Sequence, residues 1–480
     1  MNNKSLVKNS IYNVAYKLLN VLFPLITATY IARVLLATGV GLIAYSQNVV
    51  AYFVTFASLG IPNYGIREIA RSKNYIEKRN KIFSELFIIN FISTSFCLIL
   101  YYVMISLFPF FHQHIDLYKI MGLMLIFNLF NVDWFYQGEE EFRYITHRSF
   151  LIKILSMILM FAFVKDKTDV ENYALILCFA VGGNNILNIF NLRKHNVRLE
   201  IKNLNFIIHL KPVLYLMASV IAIEIYTMLD TTMIGSLGTA EQVGYYSNSM
   251  KLVKILISVV TAIGGVLLPR LSYYKELNKI DECSKIVSRV FEVMLFLFVP
   301  AQIALLILSK PIIIILFGNS FIPAATTLTL TSLLICGLGF SNLFGTQVLL
   351  TFNAERKLLF ATIVGAVINV VLNLFLIPQF AQNGAAVASV LSEIVVTIIC
   401  INNSLKYIKL IIQSRFILSL FISNLLLCIL LMVIRLSNLS SLLMIIFAIL
   451  SFVLIYIPCN VLLKNPILSQ LFQILLKRGR

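Results

Sequence analysis

The chain has 480 residues, 59% hydrophobic and only 12% charged, with a mean hydropathy of +0.90. Soluble domains carry about 25% charged residues, so a water-soluble fold, a disordered chain, a collagen and a small disulfide scaffold are all excluded. Lys and Arg number 39 against 21 Asp and Glu, a formal charge of +18, and where those charges fall decides what they mean.

In chain order, Lys4 and Lys8 precede a full-length apolar stretch with no small-residue cleavage site behind it, so no cleavable signal peptide is expected. Apolar runs then predict helices near 11–32, 40–60, 82–108, 118–137, 146–164, 173–192 and 212–235. A second set follows near 245–269, 287–309, 323–350, 358–378, 383–404, 416–434 and 440–463. The run at 146–164 is the weakest of these because it holds Lys153. Fourteen spans of about 20 residues use roughly 280 residues and leave no room for a large soluble domain. The expected fold is an all-α integral membrane protein of about 14 transmembrane helices.

With the N-terminus inside, about 30 of the 39 Lys and Arg fall on inner loops and ends, and about six on the outer face. The densest inner groups are Arg67 to Lys81, Arg193 to Lys211 and Arg270 to Arg289. Both termini are therefore expected in the cytoplasm, and most of the net charge is topological, with no nucleic-acid partner implied. All the outer loops are short, which excludes an ectodomain or a catalytic outer loop.

Transporters are often built from repeats. Shifting the chain by 201 residues sets Leu36, Thr38, Tyr45 and Ser46 over Leu237, Thr239, Tyr246 and Ser247. This fits two pseudo-symmetric six-helix lobes, 1–205 and 206–408, with a further helix pair and basic tail over 409–480. The architecture expected is an alternating-access carrier.

An ionisable residue deep in a bilayer costs at least about 2.5 kcal/mol, so each one raises a functional question. Ser247, Lys251, Lys254, Ser258 and Thr261 recur at helical spacing and share one face. Asn13, Lys17, Asn20, Pro24 and Thr27 repeat the theme in the first helix. Lys17, Lys251 and Lys254, with Arg33, form the expected cationic cavity wall, suited to an anionic ligand such as a phosphate. Snorkelling to headgroups is the competing account, yet Lys254 lies about 15 Å into its span at 1.5 Å per residue.

The acidic candidates are Asp133, Glu224, Asp230 and Glu393. Either they are proton or cation sites that couple transport to a gradient, or they are fixed partners that neutralise the buried lysines. Asn128, Asn131, Trp134, Tyr136 and Gln137 enrich the fourth helix in groups able to bond or stack on sugars; for Tyr136, interfacial anchoring is the simpler account. Asn369 and Asn373 stand four apart and serve equally well as interhelical glue. Glu139, Glu140 and Glu141 form an inner-loop run, with Arg143 and Arg148 expected to offset them.

The seven cysteines stand singly, which favours small buried hydrophobes over zinc ligands or disulfides. His112 and His114 alone make a poor metal site. No GxxxxGK[ST], HExxH, GxSxG or EF-hand loop occurs, so neither an enzyme nor a cofactor is expected.

Four strings carry a family resemblance. The stretch from Pro24 to Arg71, PLITATYIARVLLATGVGLIAYSQNVVAYFVTFASLGIPNYGIREIAR, resembles the N-terminal signature of Wzx-type polysaccharide flippases. These belong to the superfamily that also holds the multidrug extruders and the lipid II flippase. NVDWFYQGEEEFRYITHRS (131–149) is similar to the segment closing helix four, and MLDTTMIGSLGTAEQVGYYSNSMKL (228–252) to the start of the second lobe, with Asp230 in the family's aspartate position. NVVLNLFLIPQFAQNGAAVASVLSE (369–393) resembles the helix 11–12 junction, except that Ala381 stands where the family usually has Gly. The resemblance implies a two-lobed carrier of the bacterial cytoplasmic membrane. Its implied cargo is an undecaprenyl-pyrophosphate-linked oligosaccharide repeat unit, turned from the inner to the outer leaflet for O-antigen or capsule synthesis. Its implied partners are membrane lipids, a glycan polymerase and chain-length machinery. A cation-coupled multidrug extruder and a lipid II flippase are the alternatives within the superfamily. A membrane glycan polymerase or ligase is the alternative outside it, and would need the large outer loop that this chain lacks.

Overall fold

The computed structural model describes residues 3–469, apart from the side chains of 3–22, 219, 222, 223, 225, 226 and 259–266. The chain divides into two compact units, Met1–Gly235 and Ser236–Arg480. All regular structure among the described residues is helical. The first unit holds α1 (Asn3–Ser58), α2 (Ile61–Ser72), α3 (Ile76–Leu107), α4 (Ile115–Met121), α5 (Leu123–Asn128), α6 (Asp133–Gly138), α7 (Phe142–Phe163), α8 (Val170–Asn191) and α9 (Ile207–Leu237). The second holds α10 (Ala240–Glu276), α11 (Ile280–Phe317), α12 (Ala324–Ser332), α13 (Leu334–Ser341), α14 (Glu355–Ser404), α15 (Ser414–Leu436), α16 (Ser441–Ser451) and α17 (Ile457–Leu462). The division falls at the end of α9, while the repeat boundary drawn at 205/206 falls before its start; one marks contact and the other repetition.

Nine helical stretches among the described residues are long and apolar enough to cross a membrane. Two of them, Phe23–Ser72 and Glu355–Ser404, run to 50 residues each. That is about 75 Å of helix against a hydrocarbon core of about 30 Å, so neither can be one straight span. Each is broken inside: Leu36 takes φ 59°, ψ −175°, and Ala381 takes φ 50°, ψ −131°. Both breaks fall in the short outer turns expected from the sequence. The shift of 201 residues sets Leu36 over Leu237, where α9 ends before the Thr239 cap of α10.

The loop after residue 60 contains the amphipathic helix α2, which buries Ile61, Tyr64 and Ile69 and turns Arg67 and Arg71 outward. One expectation needs correction. The fourth span is not continuous: α5 stops at Asn128 and α6 starts at Asp133. Irregular backbone at membrane depth survives only where protein satisfies its polar groups. Here Asn185 Nδ2 donates to the Phe127 carbonyl at 2.9 Å and Asn90 Nδ2 to the Asn128 carbonyl at 2.9 Å. Trp134 Nε1 donates to the Asn131 carbonyl at 3.2 Å.

Each unit has its own packing centre. In the first, Trp134, Phe135 and Tyr136 pack with Phe83, Leu86, Tyr64 and Ile69. Tyr136 is therefore a core residue, not an interfacial anchor, and its hydroxyl bonds the Asn188 carbonyl. In the second, α11 meets the C-terminal helices through Phe296, Leu308, Phe416, Leu431 and Tyr456, whose hydroxyl donates to the Phe296 carbonyl at 2.8 Å. All seven cysteines are free, and Cys97, Cys178, Cys283 and Cys400 are buried.

Positive φ without a glycine stores about 1–3 kcal/mol. Ala381→Gly should raise the thermal midpoint, by about 1 kcal/mol of stability. Gly384→Ala should lower it by about 1–3 kcal/mol through overpacking, because the added Cβ would sit 2.2 Å from the Leu376 carbonyl oxygen. Circular dichroism melts of both variants check the pair, and a lower midpoint for Ala381→Gly would refute the strain.

The α7–α8 turn supplies a pH test. The Lys165 and Asp166 amides, each 2.9 Å from Asp169 Oδ2, with Asn172 on the other oxygen, hold the Asp169 carboxyl below the usual carboxylate range. A depressed carboxylate stabilises the fold above its unfolded value of about 4, and the contribution is lost as pH falls through the folded value. The Lys165 and Asp166 amide proton resonances should hold steady at neutral pH and shift only below about pH 4.

Candidate functional site

The basic stripe lies on α10. Thr239 starts this helix with a reciprocal cap: its hydroxyl accepts from the Gln242 amide at 3.4 Å, and Gln242 Oε1 accepts from the Thr239 amide at 3.1 Å. One face packs into the second unit through Val243, Tyr246, Ser249 and Val253, with Tyr246 bonded to Ser389 at 3.1 Å. The other face leaves Lys251, Lys254 and Ser258 exposed. Lys251 stands about 17 Å from the start of the helix, and its Nζ donates to the buried Asn248 Oδ1 at 3.2 Å. An ammonium carries three donors, so two remain for a ligand. Thr261 and Lys17 fall on side chains outside those described. Arg33 is exposed on α1, just before the break at Leu36.

The acidic candidates do not gather in one place. Asp133 opens α6 and accepts from Arg148 at 2.8 Å and from Asn188, while Arg148 also donates to the Asn188 side-chain oxygen. The Arg148 side chain is only 3% exposed and its guanidinium lies 5.7 Å over the Tyr144 ring. Asp230 is buried on α9, within electrostatic reach of Tyr52, whose hydroxyl lies 2.9 Å from Thr232 Oγ1. Asn48 Nδ2 donates to the Met228 carbonyl at 3.0 Å beside them. Glu224 is half-buried on the same helix. Glu393 is buried on α14 and accepts from Ser341. Asn373 Nδ2 donates to Asn369 Oδ1 at 3.0 Å, so these two amides bond each other. Among the described residues, no group of three or more His, Cys, Asp or Glu is placed to hold a metal ion.

The carboxylate run is offset differently from expectation. Glu139 pairs with Arg79 at 3.2 Å and Glu140 with Lys73 at 3.2 Å, because Arg148 turns inward to Asp133.

A further charged cluster escaped the sequence reading. Glu85 and His209 are both buried and bond at 2.7 Å, and the other ring nitrogen of His209 lies 2.9 Å from the Tyr64 hydroxyl. The second Glu85 oxygen accepts from the Asn205 amide at 2.6 Å. This cluster fastens the start of α9 and the strap before it onto α3. A lone carboxylate in the run IFSELFIINF was the available signal, but its partner lies 124 residues away.

The profile of the polysaccharide biosynthesis protein family matches residues 6–275. A protein of Escherichia coli (strain K12) named "Putative O-antigen transporter" is 25% identical over 408 residues, 82% of this chain and 96% of that protein. Among solved structures, a lipid II flippase MurJ in an inward closed conformation superposes with a TM-score of 0.76 at 15% identity, covering 96% of this chain and all of that one. An inward-facing multidrug-resistance MATE transporter superposes with a TM-score of 0.62 at 12% identity, covering 82% and 97%. At these identities the two likenesses show the fold, a helical transporter fold.

Removing one member of a buried ion pair costs about 3–5 kcal/mol, whereas replacing both members by apolar groups costs far less. Asp133→Ala should therefore destabilise the protein more than the double variant Asp133→Ala/Arg148→Met. Chemical unfolding in detergent, compared across the two variants, checks this; equal losses would mean that the pair is not coupled.

Proposed function

Because this chain belongs to the polysaccharide biosynthesis protein family, we propose that it is a flippase for an undecaprenyl-pyrophosphate-linked oligosaccharide repeat unit. It carries this cargo from the inner to the outer leaflet of the bacterial cytoplasmic membrane, with both termini in the cytoplasm. It is a membrane carrier, not an enzyme.

The observation that carries the cargo assignment is the exposed Lys251 and Lys254 pair in the first half of α10. Two ammonium groups facing hydrocarbon would each cost at least about 2.5 kcal/mol. A water-filled cavity removes that cost and leaves two point charges for a doubly anionic pyrophosphate. Lys17 and Arg33, on α1, are the further basic candidates for the anionic group. The prenyl tail needs no polar contact and stays in lipid. Asp133 is tied up as the partner of Arg148, so gradient coupling falls to the carboxylates of α9, Glu224 and Asp230, with Glu393 on α14 as a further candidate. The same basic stripe counts against an extruder of organic cations, which needs acidic groups at the cargo.

The test is surface polysaccharide in a strain deleted for the gene and complemented with wild type or Lys251→Ala/Lys254→Ala. Deletion should abolish the polymer and strand its lipid-linked unit inside. The double variant should insert normally yet transport at least about tenfold more slowly, the loss expected when a charge-assisted bond of about 1.5 kcal/mol or more is removed. Full rescue by the double variant would overturn the cationic-cavity reading. Lethality with stranded lipid II would favour a lipid II flippase. Intact glycans with new sensitivity to cationic drugs would favour an extruder.

A further inference from the structure

At the end of the first unit away from the Lys/Arg-rich loops, three segments close around a cavity of about 330 Å³. They are the short turn after α3 with the start of α4, the connection from α7 to α8, and the part of α1 just beyond its break. The volume lies at the lower end of small-molecule sites, roughly 300–1,000 Å³. His112, Gln113, His114, Asp116, Thr168 and Glu171 line it, with Leu42 and Leu117 adding apolar surface. We propose that this cavity is a carbohydrate subsite that holds a sugar ring of the lipid-linked cargo on its release side. This rests on the flippase reading given above.

The donor set argues for a sugar over other ligands. A phosphate or an organic cation calls for charges of one sign, whereas this lining mixes an amide, a hydroxyl, two imidazoles and two carboxylates. One carboxylate, Asp116, is already offset by Lys119 at 3.1 Å. No metal-holding group of three is present among the described residues. A pair of neighbouring sugar hydroxyls needs donors and acceptors side by side, which Gln113 and the imidazoles supply. His112 Nε2–H donates to the Ser106 carbonyl at 2.9 Å, which leaves Nδ1 of the neutral ring as an acceptor.

The walls are held from behind, as a binding site requires. On one side, Asp169 gathers the Lys165 and Asp166 amides, Asn172 donates to the Phe163 carbonyl at 3.3 Å, and the Tyr30 hydroxyl donates to the Val164 carbonyl at 2.7 Å. On the other side, buried Phe111 packs edge-on against Tyr118 with centroids 4.9 Å apart. Phe110, two residues before His112, is 53% exposed. It is steadied by Phe111 at 5.3 Å and Tyr45 at 5.8 Å, which braces the turn that carries His112. The position fits as well: by the positive-inside rule this end faces outward, where the glycan leaves.

The experiment uses the full chain in lipid nanodiscs. Its probe is the free oligosaccharide released by mild acid from the lipid-linked unit stranded in the deletion strain. Saturation-transfer NMR should show this sugar bound to wild type and to Lys251→Ala/Lys254→Ala, since the free sugar lacks the pyrophosphate. Gln113→Ala/Glu171→Ala should weaken binding at least tenfold with an unchanged melting temperature, and His114→Gln provides a milder variant should the first pair fold poorly. No transfer with wild type, or equal binding by the pocket variants, overturns the subsite while the flippase reading stands. If no lipid-linked sugar is stranded on deletion, the flippase reading fails and the subsite falls with it.

Discussion

A backbone amide or carbonyl buried without a partner costs several kcal/mol, and the irregular parts of this chain are arranged around that cost. The break between α5 and α6 exists because Asn90, Asn185 and Trp134 supply its carbonyls with donors. The strap after α8 is strung along α3 in the same way. Arg79 donates to the His195 carbonyl at 2.7 Å, Ser84 Oγ accepts the Glu200 amide at 2.8 Å, and Glu85 accepts the Asn205 amide. The second unit repeats the device on α11, where Ser284 and Ser288 accept the Lys409 and Ile411 amides at 3.0 and 2.8 Å. Asn80 and Ser84 in one unit, and Ser284 and Ser288 in the other, are each four apart, one helical turn, so both straps meet the same kind of polar stripe.

The same constraint sorts the charges into those held inside the fold and those on its exposed faces. Where charges are buried in the first unit they come with partners of good geometry: buried Arg148 with the partly exposed Asp133, Arg79 with Glu139, Glu85 with His209. Burying an ion is tolerable only when it is paired and further hydrogen-bonded, and each of these pairs has a third group on it. Asn188 serves the first, the His195 carbonyl the second, and Tyr64 the third. The α10 lysines belong to a different class. They stand on an exposed face, and Lys251 donates to a neutral amide oxygen, not to a carboxylate.

Periodicity made half of this legible. The spacing of Ser247, Lys251, Lys254 and Ser258 foretold a shared face, because one helix alone fixes which residues it presents together. Ala381 was legible as a turn position, and its φ of 50° shows why a glycine would suit it. The break at Leu129–Val132 was not legible, since Asn128 and Asn131 stand in an otherwise apolar run that is long enough to continue as one helix. The amides that permit it sit on α3 and α8, remote in sequence. Arg148 was assigned to the nearest carboxylates along the chain, yet it chose Asp133 because the fold turns it inward. The polar mouth of the first unit was illegible for the same reason: three separate segments build it, and none carries a pattern of its own.

A cargo with an anionic anchor and a hydroxyl-rich head poses two recognition problems that one surface cannot solve. A wall charged enough to draw pyrophosphate from the membrane edge gains little from sugar hydroxyls, which bind by matched donors and acceptors. A mixed polar cavity, conversely, is too weakly charged to capture a phosphate. In the function proposed above, dividing the work would let each surface be tuned alone: the basic stripe for capture, and the cavity around Gln113 and Glu171 for the identity of the glycan. Weak, exposed binding at the mouth is then an advantage, because a carrier must let go. A sugar held by a few solvent-shared hydrogen bonds, each worth about 0.5–1.5 kcal/mol net, can be read and released within one transport cycle.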